Sequence, residues 1–225
     1  MANQIEAVNT IAITNIEAIN TITDDNLQAL NTLEFTGTPA DAHTLISTHD
    51  IASLGASSSI DITSGIDSTY DVYEFIFTNM HPATNNVDFH FQVNASGGSG
   101  FNETITSTIF VAYHGETTDA SHFGYNPSEA ADQAQGTNYQ VLAYETGNGG
   151  DEVCSGILTL YAPSSTTYVK HFMARTNNYY STDYTIDNNV AGYINTTSAI
   201  DEISFKFDRG NIDAGVIKMY GLAKS

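Results

Sequence analysis

The chain has 225 residues, 41% of them hydrophobic and 11% aromatic, which is too apolar for a disordered chain and enough to fill one large core. Its 26 acidic and 6 basic residues give a net charge of −20. This balance speaks against nucleic acid as a partner, because binding phosphates takes clustered Lys and Arg, and disfavours anionic membrane surfaces.

The charge is unevenly placed: residues 1–169 hold 20 acids and no base, and residues 170–225 hold 6 of each, giving −20 and 0. Such a surface repels itself over a Debye length of about 8 Å at physiological salt; a saline setting and a solubility role both account for it. The single cysteine, Cys154, rules out an intrachain disulfide and lies in a strand-like run where a buried structural thiol is expected. No segment approaches the ~20 apolar residues of a membrane span, so no membrane insertion is expected. The first residues lack the basic and uninterrupted apolar regions of a signal peptide, so the general secretory route is not expected.

Residues 1–37 contain a repeat. Ile5-Glu-Ala-Val-Asn-Thr-Ile11, Ile16-Glu-Ala-Ile-Asn-Thr-Ile22 and Leu27-Gln-Ala-Leu-Asn-Thr-Leu33 align with a period of eleven. Branched aliphatics occupy the first, fourth and seventh places of each copy: Ile5, Val8 and Ile11; Ile16, Ile19 and Ile22; Leu27, Leu30 and Leu33. At about 100° per residue these positions form one stripe. A period of eleven gives about 3.67 residues per turn, which favours straight or slightly right-handed bundling of identical helices. Partner chains to cover the stripe are implied, and a short oligomerising stalk, most simply a homotrimer, is expected. The Asn and Thr in each copy are mediocre helix formers, so broken helical turns and an intertwined extended arrangement stay open, as does a helix packed on its own head domain.

Residues 38–59 are rich in Ser, Thr, Ala and Gly and read as a linker. From residue 60 to 225 short alternating runs are separated by turn residues. In Val87-Asp-Phe-His-Phe-Gln-Val93 one face is apolar and the other polar, the mark of a half-buried antiparallel strand. Further strands are expected at 70–78, 105–113, 139–144, 153–161, 168–175, 199–207 and 215–222, and a helical turn or two at 127–135. The fold class expected is all-β, an antiparallel sandwich or jelly-roll head behind the repeat stalk.

No glycine-rich phosphate loop, nucleophile elbow, HExxH or CxxC pair occurs, so neither an enzyme nor a cofactor is expected. Asp88 and His90 share one strand face about 7 Å apart, a spacing for two metal ligands. No third ligand is visible, so no metal is expected. For Tyr179, Tyr180 and Tyr184, in Asn-Asn-Tyr-Tyr-Ser-Thr-Asp-Tyr, core or strand-edge packing is the favoured reading, and stacking on a sugar face the alternative that makes them candidate glycan contacts.

The C-terminal half carries Pro163-Ser-Ser-Thr-Thr-Tyr-Val-Lys-His-Phe172, Ala191-Gly, Thr197-Ser-Ala-Ile200, Phe205-Lys-Phe and Gly210-Asn-Ile-Asp-Ala-Gly-Val-Ile-Lys-Met-Tyr-Gly221. This pattern resembles virion proteins of tailed phages, marine ones in particular, which often close on a Gly-Asn-Ile…Gly…Tyr-Gly strand. The eleven-residue repeat is similar to stalk segments of phage fibre and appendage proteins. The two resemblances cover about half the chain, and no catalytic residue is carried over. They imply a place on the virion surface and self-association. The expected function is a homo-oligomeric fibre or appendage whose stalk meets other virion proteins and whose head is exposed, with a host surface glycan as a possible contact. A capsid decoration or cement protein is the alternative, and a carbohydrate-binding module a further one.

Overall fold

The computed structural model describes residues 43–117, 120–125 and 131–222. The chain divides between Pro39 and Ala40, and the described residues all belong to the second unit. The repeat, with its nine aliphatic positions from Ile5 to Leu33, lies outside the described residues.

Alternation decides the strands. In β4 (Val87–Ala95) the side chains of Val87, Phe89, Phe91 and Val93 are buried while Asp88 and His90 are only half covered. The same alternation is clear in β3 (Val72–Pro82) and β10 (Lys170–Tyr180), and β5 (Ile105–Gly115), β8 (Gln140–Thr146), β9 (Cys154–Tyr161), β12 (Ile200–Phe207) and β13 (Ile212–Leu222) complete the set. Each overlaps an expected strand, with ends displaced by a few residues. Beyond the expected set are β1 (His43–Asp50), β2 (Ile60–Ile62), β6 (Ser121–Tyr125), β7 (Ala134–Gly136) and β11 (Tyr184–Ile194). Of the helical turn expected at 127–135, residues 127–130 lie outside the described residues, and 131–135 are not helical: they bend and enter β7.

Every pairing is antiparallel. One layer runs β1-β13-β3-β9-β10-β11-β5, with β6 and β7 both on β5; the other runs β8-β4-β12-β2. The two join where Tyr180 of β10 pairs Thr146 of β8, so one sheet folds over on itself into a nearly closed, sandwich-like body. The expected all-β antiparallel class is therefore what the head adopts. Among the described residues no helix is long and apolar enough to cross a membrane.

Phenylalanines fill the space between the layers. Phe205 of β12 lies 5.1 Å from Phe77 and 5.5 Å from Phe75 of β3, and Phe91 of β4 lies 5.0 Å from Phe172 of β10, centroid to centroid. Edge-on and tilted rings at these separations gain about 0.5–1.5 kcal/mol per pair beyond burial. Gly215 breaks β13 with φ at +119°, and a Cβ there would stand 2.7 Å from the Asn79 carbonyl oxygen. Gly210, in the turn before β13, also has positive φ, at +74°. At both positions a side chain would be strained, so this stretch needs glycine.

The linker expected at 38–59 is corrected over its described part. β1 pairs β13 from His43↔Leu222 to Asp50↔Val216 and forms the edge of the larger layer. Asp50 then caps a single turn, α1 (Ile51–Leu54), accepting from the Ala52 N–H at 3.0 Å, and Ile51 is buried beneath it. Ser and Thr suit a half-exposed edge strand as well as a linker, and two buried isoleucines, Ile51 and Ile60, tie the stretch down.

Because Phe205 touches three other rings from the opposite layer and its own, Phe205→Ala is expected to remove about 3–5 kcal/mol of stability. Urea unfolding of the full chain, followed by near-ultraviolet dichroism, measures it.

A tyrosine and glutamate cleft as candidate functional site

β8 has a free edge that backbone pairing does not satisfy, since it meets β10 at only one residue pair. Side chains from the inner face of the larger layer take over. Thr176 Oγ1 donates to the Leu142 carbonyl at 2.6 Å, and Asn178 Nδ2 donates to the Tyr144 carbonyl at 2.9 Å. Asn188 accepts from the Tyr144 N–H at 3.3 Å and donates to Asn178 Oδ1 at 2.8 Å. All three side chains are at least 97% buried, where such bonds are strengthened by low polarity and costly to break.

This seam sets the position of Tyr144 and Glu145. Val87 pairs Thr146 and Phe89 pairs Ala143, so two residues of β8 stand opposite the single Asp88. That is a β-bulge, which re-aims side chains. Glu145 takes the left-handed conformation, φ +52°, and its N–H is held by Asp88 Oδ1 at 2.7 Å. Both Tyr144 and Glu145 then line one cleft.

The cleft has a volume of about 430 Å³, within the range of small-molecule sites. Its walls are Tyr113 of β5, Tyr144 of β8, and Tyr180 and Tyr184 on either side of the β10–β11 turn. Val111 and Ile186 add apolar surface, and Thr182 a hydroxyl. The Tyr184 ring is 5.6 Å from that of Tyr113, edge-on, and 6.0 Å from that of Tyr180, tilted, so three rings form a continuous wall. Burial raises the Glu145 pKa, and the charge of Asp88 adds to the rise; hydrogen bonds from Tyr144, Asn86 and Tyr180 oppose it. Burial, then the Glu145 charge, raises the Tyr180 phenol in turn.

Of the three tyrosines singled out from the sequence, the structure brings Tyr180 and Tyr184 into this cleft. Tyr179 points away, because strand side chains alternate, and donates to Asp183 Oδ1 at 3.0 Å. That bond is the first cause of its raised pKa. Tyr113, Tyr144 and Glu145 were not singled out. The signal available was that expected strands end on Tyr113 and on Tyr144.

Asp88 and His90 do not form a ligand pair with a third group. His90 Nε2 stands 3.9 Å from Asp88 Oδ2, and among the described residues no cluster of three or more His, Cys, Asp and Glu converges. Cys154 is buried and its thiol is pushed up to about 12 by that burial. A second, shallower groove of about 280 Å³ lies on the outer face of β9, β10, β11 and β5, with Met173, Ile157 and Phe110 in its lining. Its Arg175 is held by Asp187 in two bonds of 2.8 and 2.9 Å.

The turn that follows β8 is clamped by His81. Its Nδ1 lies 2.6 Å from Asp213 Oδ1 and its Nε2 3.0 Å from the Gly149 carbonyl. Two acceptors on one ring favour the doubly protonated form. Burial alone would lower the pKa, but these bonds and the Asp213 charge outweigh it, and the value is raised.

No protein-family model, no curated protein and no solved structure matches the chain.

Asn188→Leu strips acceptor and donor from the seam and is expected to cost about 1–3 kcal/mol, read from the urea midpoint of the full chain. The His81 clamp has a folded pKa above the ordinary 6.5, so its stabilisation is complete below that value and is lost as pH rises through the folded one. The stability gap between the native chain and His81→Gln should therefore be wider below pH 6.5 than above the raised folded value; a gap that widens with pH would contradict the clamp.

Proposed function

We propose that the chain is a surface protein of a tailed-phage virion, a homo-oligomer, trimeric in its simplest form. The repeat serves as the stalk that anchors it among other virion proteins, and the sandwich is an exposed head that attaches to a host glycan. The observation that carries the attachment role is the cleft at Tyr113, Tyr144, Tyr180 and Tyr184 around one carboxylate. Tyrosine rings offer flat apolar faces to a sugar's C–H surface, and a carboxylate accepts hydrogen bonds from its hydroxyls. The repeat and the glycine-bearing closing strand support the virion setting through their resemblance to phage proteins.

Two measurements test this. Sedimentation of the full chain should give a single oligomer, which Ile16, Ile19 and Ile22 changed together to Ser should dissociate while the head's dichroism stays unchanged; an intact oligomer would remove the stalk role. A glycan array should show binding that Tyr184→Ala weakens about tenfold, the loss of one aromatic anchor. A flat array removes glycan attachment. Hundreds of copies per particle would replace the fibre with capsid decoration.

A further inference from the structure

The one charged group in the lining of the cleft is a carboxylate. Glu145 is half-buried there, Asp88 stands behind it with Oδ1 already bound to the Glu145 N–H, and none of the lining residues is cationic. Among the described residues the base paired with Asp88 is His90, at 3.9 Å, beyond hydrogen-bond reach. Asn86, whose side chain bonds Glu145, has its Oδ1 buried without a hydrogen-bond partner. Glu145 is thus the one charged residue in the lining, and a second carboxylate, Asp88, is bonded to its N–H just behind it. The other walls are electron-rich ring faces, which attract cations.

The four basic residues whose partners are fixed do not serve this place. Lys170 is buried against the Tyr168 and Thr196 carbonyls, Arg175 is held by Asp187, Arg209 reaches Asp208 and the Asn86 carbonyl, and Lys206 lies over the Tyr139 ring. None of these four cations is among the residues lining the cleft.

We propose that this cleft takes a protonated primary amine, its ammonium on Glu145 and its carbon skeleton against Tyr180 and Tyr184. The inference rests on the glycan reading for its source, an amino sugar with a free amine, but the ammonium chemistry stands apart from it. An acidic sugar is disfavoured by the same two carboxylates.

Calorimetric titration of the full chain with four probes separates the cases: a glucosamine disaccharide, its N-acetylated counterpart, a glucuronate disaccharide and ethanolamine. The free amine should bind about tenfold more tightly than the acetylated sugar, and glucuronate should be weakest. Its affinity should fall as salt is raised. Glu145→Gln, and separately Asp88→Asn, which keeps an oxygen for the Glu145 N–H, should shrink the preference toward unity without changing the melting profile. If the acetylated sugar binds equally well, or the preference survives Glu145→Gln, the ammonium inference is overturned while glycan attachment stands. If ethanolamine binds and no sugar adds to it, the ammonium site stands and glycan attachment falls. Binding of none of the four overturns both.

Discussion

The Asn178–Asn188 pair carries the architecture at the point where it is weakest. A folded-over sheet must leave one strand edge facing the inside of the opposite layer, and a buried backbone edge needs every N–H and C=O matched. β8 is that edge. Its Tyr144 peptide is matched on both sides by asparagine side chains, which imitate the backbone groups of a missing neighbour strand. Polar residues in the middle of the core thereby fix the height at which the second layer sits over the first. The phenylalanine packing farther along can supply most of the stabilisation, but apolar contact has no direction and would tolerate a slid β8. Hydrogen bonds at defined atoms would not.

From that anchoring the cleft follows. A bulge that puts two β8 residues opposite Asp88 would be a local defect in a free ladder; here it lies between the asparagine seam and the pairing of Thr146 with Val87. Glu145 pays for its position in a left-handed backbone, a cost of roughly 1–2 kcal/mol for a residue with a Cβ, and in partial loss of hydration. Such strain and burial around one carboxylate mark a place where packing alone would have chosen a different residue.

The regular part of this design was legible in the sequence. Strands whose inward positions are uniformly apolar, such as β4 with Val87, Phe89, Phe91 and Val93, announce themselves by alternation. β11 does not: Ile186, Asn188 and Val190 point inward, and asparagine in the central place breaks the apolar period, while Asp187-Asn188-Asn189 reads as a turn. The residue that hides the strand is the one that makes the seam. β1 was hidden differently, since an edge strand with half-exposed Ser and Thr has the composition of a linker. At the cleft, Tyr180 and Tyr184 were visible because they are close in sequence, but Tyr113 and Tyr144 join them only through strand pairing and cross-layer contact. Glu145 is one acid among 26, and nothing local distinguishes it, because its role comes from a pairing irregularity that involves a distant strand.

The bulge also gives the cleft a dependence on chain length. Between Ala143 and Thr146 there is one residue more than the partner strand requires. Losing either of the two would remove the irregularity opposite Asp88 and leave only the one between Phe89 and His90. It would also leave room for only one side chain where tyrosine and glutamate now stand together. Substitutions would tune this site by degrees, whereas a one-codon deletion would erase half of it while making the fold more regular. In related chains, the spacing between the residues aligned with Ala143 and Thr146 would therefore report on the cleft before the identity of any residue in it.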